Sequence, residues 1–202
     1  MPPERLSSSR LEAFSDGVMA VIITIMVLEL KVPAREVGNF AGLHEVLPLV
    51  LVYLLSFVQV GIYWVNHHYL VDGIKQVTHG ILWSNLAVLF TLSLIPVATN
   101  WVGVRGISPF SIALYSAACA LPGIPWMVLS SLICHHTGKR PPGGLLKQAL
   151  SCAFYLAAIP LAYVSPYISL GMIALVAILW LLPPREIVEL TRKSEHPPTH
   201  SS

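Results

Sequence analysis

Charge is what this chain has least of. Only 11% of its 202 residues are Asp, Glu, Lys or Arg, against roughly 25% in an ordinary soluble domain. That shortage excludes a globule with a solvated charged shell. The formal net charge is +2 and no long basic run occurs, which excludes the electrostatic footprint of a nucleic-acid binder. Cysteine is scarce too: Cys119, Cys134 and Cys152 show no C-x-x-C spacing, so they read as free thiols in apolar segments rather than as a disulfide or zinc framework. No phosphate-binding glycine loop, no G-x-S-x-G turn and no H-E-x-x-H helix is present, so ATP use, serine hydrolysis and zinc hydrolysis lack their machinery. The chain reads as a non-enzyme that needs no cofactor. The histidine pairs His67-His68 and His135-His136 point about 100° apart on a helix and make poor chelates, so no metal site is expected.

What remains is apolar. Hydrophobic residues make up 55% of the chain and the mean hydropathy is +0.71. A membrane-spanning helix needs roughly 20 such residues, and six windows supply them, near 11–30, 43–67, 74–102, 109–134, 145–164 and 167–182. Pro160 and Pro166 divide the last two, because each removes a backbone donor. The fold class is therefore an all-α integral membrane protein with six transmembrane helices over residues 1–187, followed by a polar tail, 188–202, without fixed structure. The first window is read as an uncleaved helix: acids interleave with Arg5 and Arg10, and no small-residue cleavage site follows. Six helices put both termini on one side. That side collects nine basic residues, from Arg5 to Lys193, and the other has Lys31, Arg35 and Arg105. The bias predicts cytoplasmic termini in a multi-pass protein of the cell membrane.

Polar residues within these windows are few enough to name. Arg10, Ser15 and Asp16 stand at the mouth of the first helix, where charge costs free energy and is kept for a reason. Trp64 and His67 lie at the same end of the second helix, and Asn85 lies in the third. An Asp16 bond to His67 or Trp64 would form an interhelical clamp, and Asn85 must find a partner inside protein. The competing reading makes Asp16 and His67 a proton relay in a coupled transporter. Further along the first helix, Val21, Thr24, Ile25 and Leu28 share one face at about 100° per residue, away from Asp16. Helix packing or lipid contact accounts for such a stripe on pattern alone.

The spacing Arg10-x-x-x-Phe14-Ser15-Asp16, within RLEAFSDGVMAVIITIMVLELKVP over residues 10–33, resembles the RxxxFSD signature of the lysosomal potassium channel family, the transmembrane protein 175 type, and in particular its single-repeat prokaryotic branch. Trp64-x-x-His67 and Asn85-Leu86 extend the likeness. The resemblance implies a channel for K+ and other monovalent cations in the lipid bilayer, built as a homotetramer, with first helices lining the pore and no TVGYG filter. By motif position it implies a constriction at Val21, Thr24, Ile25 and Leu28, with permeant K+ meeting Thr24. It implies a packing network of Arg10, Phe14, Ser15, Asp16, Trp64, His67 and Asn85. Rings of apolar side chains imply modest K+/Na+ selectivity.

Overall fold

In the computed structural model of the chain, residues 7–29, 40–72, 74, 76–138 and 140–181 are described. The polar tail, 188–202, lies outside them. Among the described residues every regular element is helical, the outcome hydrocarbon demands of a chain that must satisfy its backbone internally.

Helix α1 spans Ser8–Met26 and closes in a 3-10 turn at Val27–Glu29. Its 19 residues give about 28 Å, close to the hydrocarbon thickness. Helix α2, Phe40–Val71, is longer than its sequence window and absorbs Pro48. The third window is not one helix but two, α3 at His79–Leu92 and α4 at Leu94–Arg105. Pro96 causes the break: it has no N–H for the carbonyl four residues back, and its ring crowds the preceding turn. The Ser93 hydroxyl donates to Phe90 O at 2.7 Å and seals the joint. The fourth window breaks in the same way before Pro122, into α5 (Pro109–Ala120) and α6 (Gly123–Thr137). Helix α7 covers Gly144–Leu161 and α8 covers Pro166–Leu181, with Pro166 opening the second of this hairpin pair.

Four stretches are long and apolar enough to cross a membrane: Leu47–Val71, His79–Arg105, Pro109–Thr137 and Gly144–Leu161. Helix α8 is apolar but shorter, and α1 carries Arg10, Glu12 and Asp16. With these two the bundle has six membrane segments, and the protein is a multi-pass membrane protein.

The two broken segments let the core form in two lobes. Helix α1 packs on α2 and α3, and α3 packs on α6. Met19, Ile22, Met26, Val60, Leu89 and Ile133 fill that lobe. The other lobe joins α4, α5, α7 and α8, around Ile112, Tyr115, Ala158, Ile173 and Val176. Small residues there, Ala113, Ala158, Ala162 and Ala177, bring helices close where no hydrophobic effect separates protein from lipid. Polar contacts reinforce it: Ser56 Oγ lies 2.8 Å from Thr99 Oγ1 and 2.9 Å from the Tyr115 hydroxyl, and Ser116 meets Ser169 at 2.9 Å. Trp126 departs from the interfacial role its residue type suggests. It sits mid-segment, buried, edge-on to Tyr63 at 5.5 Å.

Candidate functional site

Helix α1 has three faces, and rotation about its axis assigns each a neighbour. Leu11, Ser15, Met19, Ile22 and Met26 are buried against the bundle. Asp16 is one residue on from Ser15, about 100° round the helix, and meets α2. The third face is exposed along its whole length: Arg10, Phe14, Gly17, Val21, Thr24, Ile25 and Leu28.

The buried face ends in a directional chain of hydrogen bonds. The Ser15 hydroxyl donates to Leu11 O at 2.8 Å. Asn85 of α3 donates through Nδ2 to Ser15 Oγ at 2.8 Å. That fixes its Oδ1 as an acceptor, so His67 of α2 donates from Nε2 at 2.9 Å. Ser15 and Asn85 are fully buried and His67 nearly so, so three helices are pinned at one point. His67 Nδ1 is left buried with no hydrogen-bond partner among the described residues.

Asp16 belongs to a second, more exposed contact. Its Oδ1 accepts from the Trp64 indole at 3.0 Å. One turn toward the start of α1, Glu12 Oε1 lies 2.9 Å from His68 Nδ1. The relay pairing of Asp16 with His67 is therefore replaced by two separate bonds, Asp16–Trp64 and His67–Asn85. The cause is the rotation of about 100° between Ser15 and Asp16, which sends one toward α3 and the other toward α2.

Two residues expected in this network stand elsewhere. Phe14 is 54% exposed, and Arg10 is exposed with no ion pair among the described residues. Both lie on the face of Val21, seven and eleven residues away, because these spacings return to nearly the same angle. A signal for this is in the sequence. Residues 10, 14, 17, 21, 24 and 28 alternate steps of four and three, the spacing of a coiled-coil seam.

Val21, Ile25 and Leu28 are 53%, 43% and 75% exposed. Val21 and Ile25 line a groove with Phe14, Gly17 and Pro96. Thr24 borders the groove on the other flank, with Asp16, Ala20 and Trp64. The Thr24 hydroxyl donates backward to Ala20 O at 2.9 Å and Val21 O at 3.0 Å. Its proton is thus held by the helix, which leaves its oxygen lone pairs as acceptors. Sequence reasoning missed Glu12 and His68 as a contact pair. Their separation of 56 residues carries no local signal.

Comparison with known proteins bears on what such a helix is for. The family described as "Endosomal/lysosomal potassium channel TMEM175" matches residues 10–96, which include Glu12, Ser15, Asp16, Trp64, His67, His68 and Asn85. A potassium channel of Chryseobacterium sp. (strain P1-3) is 43% identical over 187 residues, 90% of this chain and 96% of that one. A potassium channel of Chamaesiphon minutus (strain ATCC 27169 / PCC 6605) is 28% identical over 195 residues, covering 89% and 96%. A solved structure of a lysosomal potassium-selective channel TMEM175 homolog from Chamaesiphon minutus superimposes with a TM-score of 0.66. It is 26% identical and covers 86% of this chain and 96% of its own.

Proposed function

The chain belongs to the endosomal/lysosomal potassium channel TMEM175 family, and from that premise we propose that it is a potassium-permeable channel whose pore is the exposed face of α1. Four copies surround one axis, each contributing Val21, Thr24, Ile25 and Leu28. The protein sits in the cell membrane with both termini cytoplasmic, and residues 1–187 act as one channel unit.

One observation carries this reading. A membrane helix next to lipid has no use for a seam of 3.5-residue spacing that ends in an arginine, and a helix facing its own copies does. The seam Arg10, Phe14, Gly17, Val21, Thr24, Leu28 is exposed in the single chain. The opposite face, by contrast, is locked by Ser15, Asn85 and His67.

The geometry then divides the labour. Rings of Val21 and Leu28 close the path by excluding water. Thr24 offers one hydroxyl oxygen per copy to an ion that has shed part of its hydration. Such rings hold fewer oxygens than a stacked carbonyl filter, so K+ is preferred over Na+ only modestly, and other monovalent cations pass. The Ser15–Asn85–His67 and Asp16–Trp64 contacts hold α1 at the rotation that keeps this face on the axis.

Planar-bilayer recording under K+/Na+ gradients tests the reading. Wild-type protein gives unitary currents, Thr24→Ala moves the reversal potential toward equal permeability, and Leu28→Asn raises the leak by hydrating the constriction. Reversal potentials and leak that match wild type in both variants remove α1 from the pore.

A further inference from the structure

A second space in the protomer lies away from α1 altogether. It is a partly open cavity lined by Gln59 and Tyr63 of α2, Trp126 of α6, Cys152 and Tyr155 of α7, and Trp180 of α8. Gln59 and Tyr63 point about 100–140° round α2 from Trp64, which faces α1. The space holds about 40 Å³ accessible to water, room for about three waters at roughly 10–15 Å³ each.

Two of its polar groups, one on buried Gln59 and one on partly buried Tyr63, are incompletely used. Gln59 is only 2% exposed. Its Oε1 accepts the Tyr155 hydroxyl at 2.8 Å, while its amide hydrogens have no partner among the described residues. The Tyr63 ring is fixed against Trp126, and its hydroxyl likewise has no hydrogen-bond partner among the described residues. Left dry, these donors would carry the desolvation penalty of unmet groups. The rest of the wall mixes Ile62, Gly123 and Met127 with Asn66, Gln148 and Ser151, and those three polar side chains already donate to backbone carbonyls, of Ile62, Pro142 and Lys147. No charged side chain lines the space, so a charged occupant would go uncompensated.

Trp180 is the shared wall. Its indole donates to Ser151 Oγ at 2.8 Å, and Lys147 Nζ sits 4.5 Å above its ring. Its other side borders the groove that contains Asp16, Ala20 and Thr24. Filling the cavity therefore presses on a side chain that flanks α1.

We propose that each protomer binds a small uncharged molecule in this cavity, a hydroxyl on a body of about two or three carbons to match the volume. Its oxygen accepts from the Gln59 amide and meets the Tyr63 hydroxyl, its apolar end lies on Trp126 and Met127, and its presence adjusts the α1 face through Trp180. The binding half stands by itself; the effect on α1 rests on the channel reading above.

Cys152 is a built-in reporter. In the intact full-length protein, its modification by methyl methanethiosulfonate is followed by peptide mass spectrometry with and without 1-propanol. Propanol slows wild-type Cys152 at least threefold, leaves Cys134 unchanged because it does not line the space, and has no effect on Cys152 in Gln59→Leu. Tyr63→Phe, which keeps the ring and its packing, shows an intermediate slowing. An absent effect in wild type, or equal slowing in Gln59→Leu, overturns the binding site. So does a Cys152 that stays unreactive in both wild type and Trp180→Ala. In bilayers, propanol changes the wild-type current and not that of Gln59→Leu. An unchanged wild-type current alongside intact protection overturns the coupling alone. A chain that passes no current overturns the channel reading, and the protection result still decides the site.

Discussion

Asn85 of α3 ties α1 to α2, because its side chain bonds one residue on each of them in the buried chain of contacts. It accepts from His67 and donates to Ser15, so removing it leaves the buried His67 donor unmet, while the Ser15 hydroxyl keeps its bond to Leu11 O. Asn85→Leu should cost about 1–3 kcal/mol, the penalty of an unmet buried donor, and lower the thermal midpoint of the purified protein by several degrees. Asp16→Asn is milder. The amide oxygen still accepts from Trp64, only the charge assistance is lost, and the contact is partly exposed, so about 1 kcal/mol or less is at stake. Tryptophan fluorescence during thermal unfolding ranks the two, and an Asp16→Asn loss equal to that of Asn85→Leu contradicts the assignment. If Asp16 instead belongs to the ion path, Asp16→Asn shifts the reversal potential in a protein of normal stability. The sequence identifies Asp16, Trp64, His67 and Asn85 as polar groups in need of partners. It does not say who pairs with whom, since that depends on how three helices are rotated against one another.

At the scale of elements, prolines and glycines set the outline. Pro96 and Pro122 are plain in the sequence, yet their windows read as continuous helices, because a proline inside an apolar run either kinks or ends a helix and packing decides which. Here both break, which lets α3 pair with α6 and α4 with α5. The turn before α7 depends on glycine for a different reason. Gly138 and Gly143 both have φ of +70°, the left-handed region that costs a residue with a Cβ about 1–2 kcal/mol. At Gly138 a Cβ meets nothing within 4 Å. At Gly143 it falls 2.9 Å from Lys147 Cδ and 3.0 Å from the Trp180 ring, so the Lys147–Trp180 stack must give way. Gly143→Ala should therefore destabilise more than Gly138→Ala, and should also speed Cys152 modification by loosening Trp180. Equal midpoints and equal thiol rates in the two variants rule out that role for the stack.

The whole molecule poses the question of what covers the α1 seam. A homotetramer with α1 at its axis brings copies of residue 28 together and keeps residue 22 on the inside of each protomer. Ile22 is 5% exposed and Leu28 75%. Under mild oxidation in membranes, Leu28→Cys should form disulfide-linked dimers on a gel and Ile22→Cys should not. The background should be carried through with Cys134 and Cys152 replaced by serine. Dimers from Ile22→Cys, or none from Leu28→Cys, place some other face at the axis.

The number of membrane segments follows from the apolar runs, since hydrocarbon accepts little else than a helix. The short spacing Arg10-x-x-x-Phe14-Ser15-Asp16 was enough to suggest the family, because local motifs survive without any knowledge of packing. Even the 3.5-residue seam is present in the string of residues 10 to 28. Rotation was the missing quantity. The sequence groups Arg10 and Phe14 with their neighbours Ser15 and Asp16, whereas adjacent side chains on a helix part by about 100°. Only the packed bundle sends Ser15 to Asn85 and Asp16 to Trp64 and leaves Arg10 and Phe14 outside with Val21. The same holds for the cavity behind α2: Gln59, Tyr155 and Trp180 come from helices far apart in the chain, and no spacing rule connects them.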